Sequence, residues 1–462
     1  MPGASDGEHD TAMTNSSTAS YYLTGHMAPV PDEIDVAGLE VTGALPPELS
    51  GRYLRNGPNP KPGEDPGHWF MGHGMIHGIR IHDGRAEWYR NRWVRTGQFE
   101  GRERFADGRF DLTVGSANTH VMSHAGRIYA LVESSLPYEL TPELETVGPC
   151  DFGGKLTTGM TAHPKEHPAT GDLHFFGYGF LPPYLTYHRL SAAGRLEVSV
   201  EIPVRGATMN HDFAITEHHA LFLDQPMTFQ MELLATGMPF GWDDSYGTRI
   251  GVMPLDRPGE VTWFDVAPCY VFHVGNAHED AAGRIVLEAP RHGPADAIAM
   301  WGAVAGRGAT GRPGDDGTGL SQLHRWTLDP ATGAVTEERV DDRGVEFPTL
   351  DDRLTGRRNR HLYTRADAGD DVAVVKYDTV TGASTEHVLG PDVVLGEAEF
   401  VPSTAPDRAE DDGWLMAIVS RRDGSASRLL VLDASDVAAA PVATVRLPRP
   451  VPTGFHGSWI PD

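Results

Sequence analysis

Short runs of Val, Ile, Leu and aromatic residues recur along the chain, separated by breaks rich in glycine and proline. Clear cases are RIYALVE at 127–133, LHFFGYG at 173–179, HALFLDQP at 219–226, RIVLEAP at 284–290, DVAVVKYD at 371–378 and WLMAIVS at 414–420. Runs of this length, biased to β-branched and aromatic residues and bounded by turn formers, predict strands rather than helices. The breaks repeat in kind: HPATGDL at 167–173, DPATGAV at 329–335 and DTVTGAS at 378–384 each carry a glycine able to take positive φ between two strands. Helical patterns of the length that βαβ units need are missing, so the pattern predicts an all-β chain of successive antiparallel hairpins. Two segments depart from it. FQMELLATGM at 229–238 and ADAIAMWGAV at 295–304 are apolar and helix-capable, and are expected as core-covering turns, or as a lid or lining for an apolar channel. The stretches 306–319 and 403–413 are expected as loops within one domain.

Length turns this pattern into an architecture. At 462 residues the chain suffices for about three average domains or one large all-β domain. So many strands must hide their edges, and radial repetition in a β-propeller does so economically. No repeat of fixed period is visible. The polar stretch 1–24 carries acids, lacks an apolar signal region and is expected to be a disordered tail, with 25–462 forming a single domain. A formal net charge of −26 disfavours nucleic acid and electrostatic adhesion to anionic lipid. No apolar stretch is long enough for a membrane span, and the two cysteines, Cys150 and Cys269, fit small buried residues in a reducing compartment. A soluble, cytoplasmic protein is the expectation.

Candidate chemistry rests on histidine, of which there are 22. There is no G-x-S-x-G elbow, no phosphate-cradling loop and no local context for a catalytic thiol. His163 in GMTAHPK, His211 in TMNHDFAIT, His273 in YVFHVGNAHED and His456 in TGFHGSWIP sit in apolar or tight-turn settings. Taken singly, each reads more readily as a hydrogen-bonded core or surface residue than as a metal ligand. His68, His73 and His77 form a rival cluster, but strand alternation puts 73 and 77 on one face and 68 on the other. That cluster is expected to be a structural turn.

The segments GRYLRNGPNP (51–60), HWFMGHGMIHGIRI (68–81), TAHPKEHPATGDLHFFGYG (161–179), NHDFAIT (210–216), EFP (346–348), EDDGWLMAIV (410–419) and GFHGSW (454–459) resemble the carotenoid cleavage oxygenase family. The resemblance runs in order from about residue 25 to the C-terminus, with one departure: His73 stands where the family commonly has an acidic residue. It implies a seven-bladed β-propeller with a small loop and helix cap over an axial metal site. It also implies one non-haem Fe(II) per chain, with O2 as co-substrate and His163, His211, His273 and His456 as ligands. Four neutral imidazoles suit Fe(II) and leave octahedral positions open. By the same resemblance Glu133, Glu346 and Glu397 accept N–H bonds from three of the histidines, fixing tautomer and ring orientation. Glu399 is the alternative to Glu397, and Thr119 in SANTHV matches a position that crowds a vacant iron site.

The expected reaction is oxidative cleavage of one C=C bond of a carotenoid or apocarotenoid into two carbonyl products. A stilbene-cleaving branch of the family carries a lysine immediately before the first of these glutamates. Val132 stands there, so a cationic anchor is expected to be missing and a polyene is favoured over a stilbene. Trp459, Phe272, Phe240 and Trp301 are candidate linings for the apolar channel such a substrate requires. Contact with a membrane surface for substrate uptake is compatible with this reading. A Ca²⁺-dependent hydrolytic propeller and a non-catalytic carotenoid-binding protein are the alternatives from other classes.

Overall fold

A computed structural model describes residues 20–106, 108–236, 238–304, 320–368 and 371–462. The predicted strands form: the runs cited above lie in Arg127–Leu131, Leu173–Tyr178, His219–Asp224, Ile285–Arg291, Asp371–Asp378 and Gly413–Arg421. Their turns use the expected glycines, with Gly333 at φ 76° and Gly382 at φ 74°, where any other residue would pay for a left-handed backbone. The chain is nearly all-β.

The strands gather into antiparallel sheets that follow chain order. One four-stranded sheet runs from His120–His124 to Thr146–Pro149, the next from Lys165–Glu166 to Leu196–Glu201, and a third from Ala214–Ile215 to Thr262–Val266. A seven-stranded sheet then runs without crossover from Asn276–Glu279 to Ser384–Gly390. The chain ends are sewn together twice. Gly457–Pro461 pairs with Gly51–Pro58, and Val41–Gly43 pairs with Ala443–Arg446. Alternating strand residues bury large side chains between neighbouring sheets; Tyr53, Ile79 and Tyr89 of one sheet pack on Met416, Ile418 and Val431 of another.

Of the expected tail 1–24, residues 1–19 lie outside the described residues, but residues 20–24 depart from the expectation. Tyr21–Leu23 forms a 3-10 turn, Tyr22 is buried, and its hydroxyl donates to Asp65 at 2.6 Å. The aromatic pair near the end of this otherwise polar stretch is the physical reason: burial of the Tyr22 ring and its bond to Asp65 favour order there. The expected loop 306–319 lies outside the described residues. Both helix-capable segments are helical, as the 3-10 helix Met231–Thr236 and the α-helix Pro294–Val304. Cys150 is half-buried and Cys269 buried, both as free thiols, with burial pushing the Cys269 thiol up to about 12.

Candidate functional site

Four segments leading into strands converge at one point. His163 lies two residues before Lys165–Glu166, His211 three before Ala214–Ile215, His273 three before Asn276–Glu279, and His456 immediately before Gly457–Pro461. Each strand belongs to a different sheet. All four imidazoles are buried, and each offers a nitrogen within 4.8 Å of the others. The Nε2 atoms of His163 and His211 are 2.9 Å apart, and those of His211 and His273 are 3.3 Å apart.

Carboxylates hold the outer edges of three rings. His211 Nδ1 donates to Glu133 Oε1 at 3.1 Å, His273 Nδ1 to Glu346 Oε2 at 2.5 Å, and His456 Nδ1 to Glu397 Oε1 at 3.0 Å. With the proton on Nδ1, each Nε2 turns a lone pair inward. Burial, reinforced by neighbouring imidazoles, holds His163 and His273 well below the usual histidine range, so both are neutral. Inward lone pairs at these distances repel one another unless a cation lies between them. Nitrogens about 2.1 Å from one ion and at right angles would be about 3.0 Å apart, close to the separations found. The donor set fits a metal ion.

The three glutamates differ in their balance of forces. Burial pushes Glu133 and Glu397 up, but His211 and His456 outweigh it and leave both carboxyls below the ordinary value. Burial leaves Glu346 above it. Glu397 and not Glu399 reaches the histidine, and Glu397 Oε2 also accepts from Gly457 N at 3.1 Å. Glu399 is held far above its usual range by burial and by the carboxylates of Asp352 and Glu397. Phe347 follows Glu346 at φ 54°, a left-handed conformation costing about 1–3 kcal/mol, and stacks its ring on His273 with centroids 5.0 Å apart.

Two residues not singled out from the sequence tie the histidine segments together. Asp212 accepts from Val274 N at 2.7 Å and pairs with Lys165 Nζ at 2.8 Å, linking residues beside His163, His211 and His273. His120 donates from Nδ1 to Ala162 O at 2.7 Å and lies 3.2 Å from Ser458 Oγ through Nε2. Burial pushes it down to about 4, so it bridges the His163 and His456 segments as a neutral ring. Both residues lie inside motifs already quoted, NHDFAIT and SANTHV, but a polar residue next to a ligand carries no signal of its own. Thr119 is buried; its carbonyl accepts from His456 N at 3.1 Å and its hydroxyl donates to Asn118 Oδ1.

The rival histidines stay apart. His68 Nδ1 caps a 3-10 turn at Phe70 N, His73 pairs with Glu64 at 2.9 Å, and His77 is hydrogen-bonded to Tyr89 at 2.8 Å. His73 and Glu64 thus place a carboxylate at the turn where the acidic residue was expected.

A cavity of about 1020 Å³ adjoins the four histidines, with His211, His273, His456, Glu133, Glu346 and Thr119 on its wall. Phe272 and Phe240 line it, as expected. Trp301 and Trp459 do not: Trp301 is buried behind it with Nε1 donating to Phe240 O, and Trp459 packs on the core between two sheets. Met238 and Met300, from the two helix-capable segments, complete this apolar side. Val132 is on the wall, so no cation stands at that position, but the cavity does carry guanidinium groups from elsewhere, those of Arg104, Arg365 and Arg422.

The profile of the retinal pigment epithelial membrane protein (RPE65) family matches residues 27–461. A carotenoid cleavage oxygenase of Mycobacterium tuberculosis is 39% identical over a 502-residue alignment covering 95% of this chain and 97% of that protein. Among solved structures, the lignostilbene dioxygenase of Pseudomonas brassicacearum superposes with TM-score 0.84 at 28% identity, covering 96% of this chain and 99% of that one. A cobalt-substituted Synechocystis apocarotenoid oxygenase (ACO) does so with TM-score 0.81 at 29% identity, covering 94% and 97%. Matched over nearly its whole length by this family and these relatives, the chain belongs to the RPE65/carotenoid cleavage oxygenase family.

Proposed function

We propose that this chain is an Fe(II)-dependent dioxygenase that cleaves one C=C bond of a carotenoid or apocarotenoid into two carbonyl products. The observation that carries the reading is the convergence of four buried imidazoles, three of them on the wall of a large, mainly apolar cavity. Nitrogen donors suit Fe(II), whereas a calcium-dependent hydrolytic propeller would need oxygen ligands. A carotenoid-binding protein without catalysis would have no use for three glutamates that orient the rings.

His163, His211, His273 and His456 would hold the iron, which when bound supplies the redox chemistry that activates O2. Glu133, Glu346 and Glu397 keep the proton on Nδ1 of their histidines and place negative charge around a site with no carboxylate ligand. We assign Thr119 the task of occupying space beside the histidines. The cavity wall desolvates the polyene and presents one double bond to the centre. Both oxygen atoms end in the products, one C=C bond breaks and two C=O bonds form, so the reaction needs no external reductant.

The same reading takes the fold to be a seven-bladed propeller forming a single domain over 25–462. Among the described residues, six sheets have four or more strands. In the seven-stranded one the long strand Val335–Thr349 pairs with Gln322–Leu328 and with His361–Ala368, with a register shift between Glu346 and Thr349, which supports reading it as two blades. The doubly joined chain ends support closure of the ring.

Purified, iron-loaded protein offered an apocarotenal and resveratrol side by side is expected to cleave the apocarotenal. Preferential release of two aromatic aldehydes from the stilbene would overturn the substrate, and stoichiometric calcium in place of iron would overturn the reaction.

We also propose peripheral contact with a membrane during substrate uptake. No helix among the described residues is long and apolar enough to cross one. Phe105, Phe110 and Leu181 are more than half exposed, and Phe110, Phe180 and Leu181 border the cavity. An apolar rim on an acidic protein favours insertion over charge attraction. Co-sedimentation with neutral phosphatidylcholine vesicles should resist salt and fall sharply in Leu181→Glu/Phe110→Glu protein. Unchanged binding by that variant would exclude this rim.

A further inference from the structure

The cavity beside the histidines is mainly apolar, yet a guanidinium lies on its wall. Arg104 precedes the small hairpin Phe105–Ala106/Arg109–Phe110, and its carbonyl accepts from Asp111 N at 2.8 Å. One terminal NH2 group donates to the carbonyl of Ser134, the residue after Glu133. Its Nε is buried with no hydrogen-bond partner, and no carboxylate lies within 4.0 Å, among the described residues. Phe110, Leu112, Val132 and Phe180 line the same cavity. Arg365 and Arg422 also line the cavity; Arg365 is paired with Asp367 at 2.5 Å, and Arg422 Nε donates to Pro391 O at 2.5 Å. A guanidinium beside apolar walls is costly unless something accepts its hydrogen bonds, and one backbone carbonyl uses only part of its donor fork. It therefore favours an acceptor brought in by whatever fills the cavity.

We propose that Arg104 is a specificity-determining residue that binds an oxygen-bearing terminus of the substrate, a carboxylate most strongly. This rests on the oxygenase reading and deepens it: the preferred substrate is an apocarotenoid with a polar end rather than a hydrocarbon carotene. A planar fork suits a carboxylate, which it can bind through two parallel hydrogen bonds, and it also donates to an aldehyde or hydroxyl oxygen. A terminus held at Arg104 sets how far along the polyene the four histidines fall, and so which double bond is cut. The site differs from the lysine anchor of the stilbene-cleaving branch, because the cation comes from another segment and Val132 is apolar.

Three polyenes of equal length, ending in a carboxylate, an aldehyde and a methyl group, separate the possibilities. Equilibrium binding to the iron-loaded protein, read by quenching of tryptophan fluorescence, is measured alongside KM, kcat and iron content. The acid should bind most tightly to the unaltered protein. Arg104→Met should raise Kd and KM for the acid about 10- to 100-fold, the scale of a lost charged hydrogen bond. It should change the methyl-ended compound less than about twofold and leave iron content intact, and Arg104→Lys should restore part of the preference. Equal losses for all three compounds would mean that Arg104 only braces the Ser134 turn, and would overturn the proposal. So would the absence of any preference in the unaltered protein. Preferential binding of the acid without cleavage of any polyene would instead overturn the reaction and leave the anchor standing.

Discussion

Alanine in place of His456 is expected to abolish both iron binding and turnover while the protein still folds. The His456 ring contributes to the four-histidine cluster and to the bond with Glu397. The strand that follows it, Gly457–Pro461, is held by backbone pairing to Gly51–Pro58, which the ring does not enter. The substitution removes a ligand and leaves the sheet intact. The same holds for His163, His211 and His273, each of which precedes its strand rather than lying within it. Every one of the four alanine variants should therefore show near-native circular dichroism, with iron content near zero. A variant that retained full occupancy and turnover would not be a ligand. His68→Ala/His73→Ala is the control: those rings cap a turn and pair with Glu64, so iron and activity should persist.

The strands and their turns were legible because each is local: a short apolar run, an aspartate or threonine, and a glycine at positive φ suffice. The histidine cluster was not local. Its members are 48, 62 and 183 residues apart along the chain, and any one of them looks like an ordinary core histidine until the sheets converge. Only the family motifs assembled them. The candidate linings divide for the same reason. Phe240 and Phe272 reach the cavity, whereas Trp301 and Trp459 are equally apolar in sequence but pack behind it, and only the tertiary arrangement separates the pairs. Arg104 carries no signal in the sequence, because an arginine in the charged stretch ERFADGRF reads as solvated. Its place on the cavity wall depends on a hairpin packing beside the Ser134 turn, a contact between segments 30 residues apart.

Glutamine in place of Glu397 should weaken iron binding by about 10- to 100-fold, whereas the same change at Glu399, two residues on, should do little. The difference lies in charge rather than shape. Glu397 is ionised, and both oxygens accept hydrogen bonds, from His456 Nδ1 and from Gly457 N. A glutamine keeps one acceptor but turns an NH2 group toward one of those two donors. It also removes a negative charge beside a cationic centre that has no carboxylate ligand. Burial and the carboxylates of Asp352 and Glu397 push Glu399 well above the usual carboxylate range, which favours its neutral form, and it orients none of the four rings, so glutamine there changes little. Glu133→Gln and Glu346→Gln should follow Glu397→Gln, since each carboxylate orients one ring, at 3.1 and 2.5 Å. Iron titration of the metal-free variants, followed by tryptophan quenching, measures the four affinities directly. If Glu399→Gln lost affinity like the others while Glu397→Gln did not, the assignment of the carboxylate that orients His456 would shift by two residues along that strand.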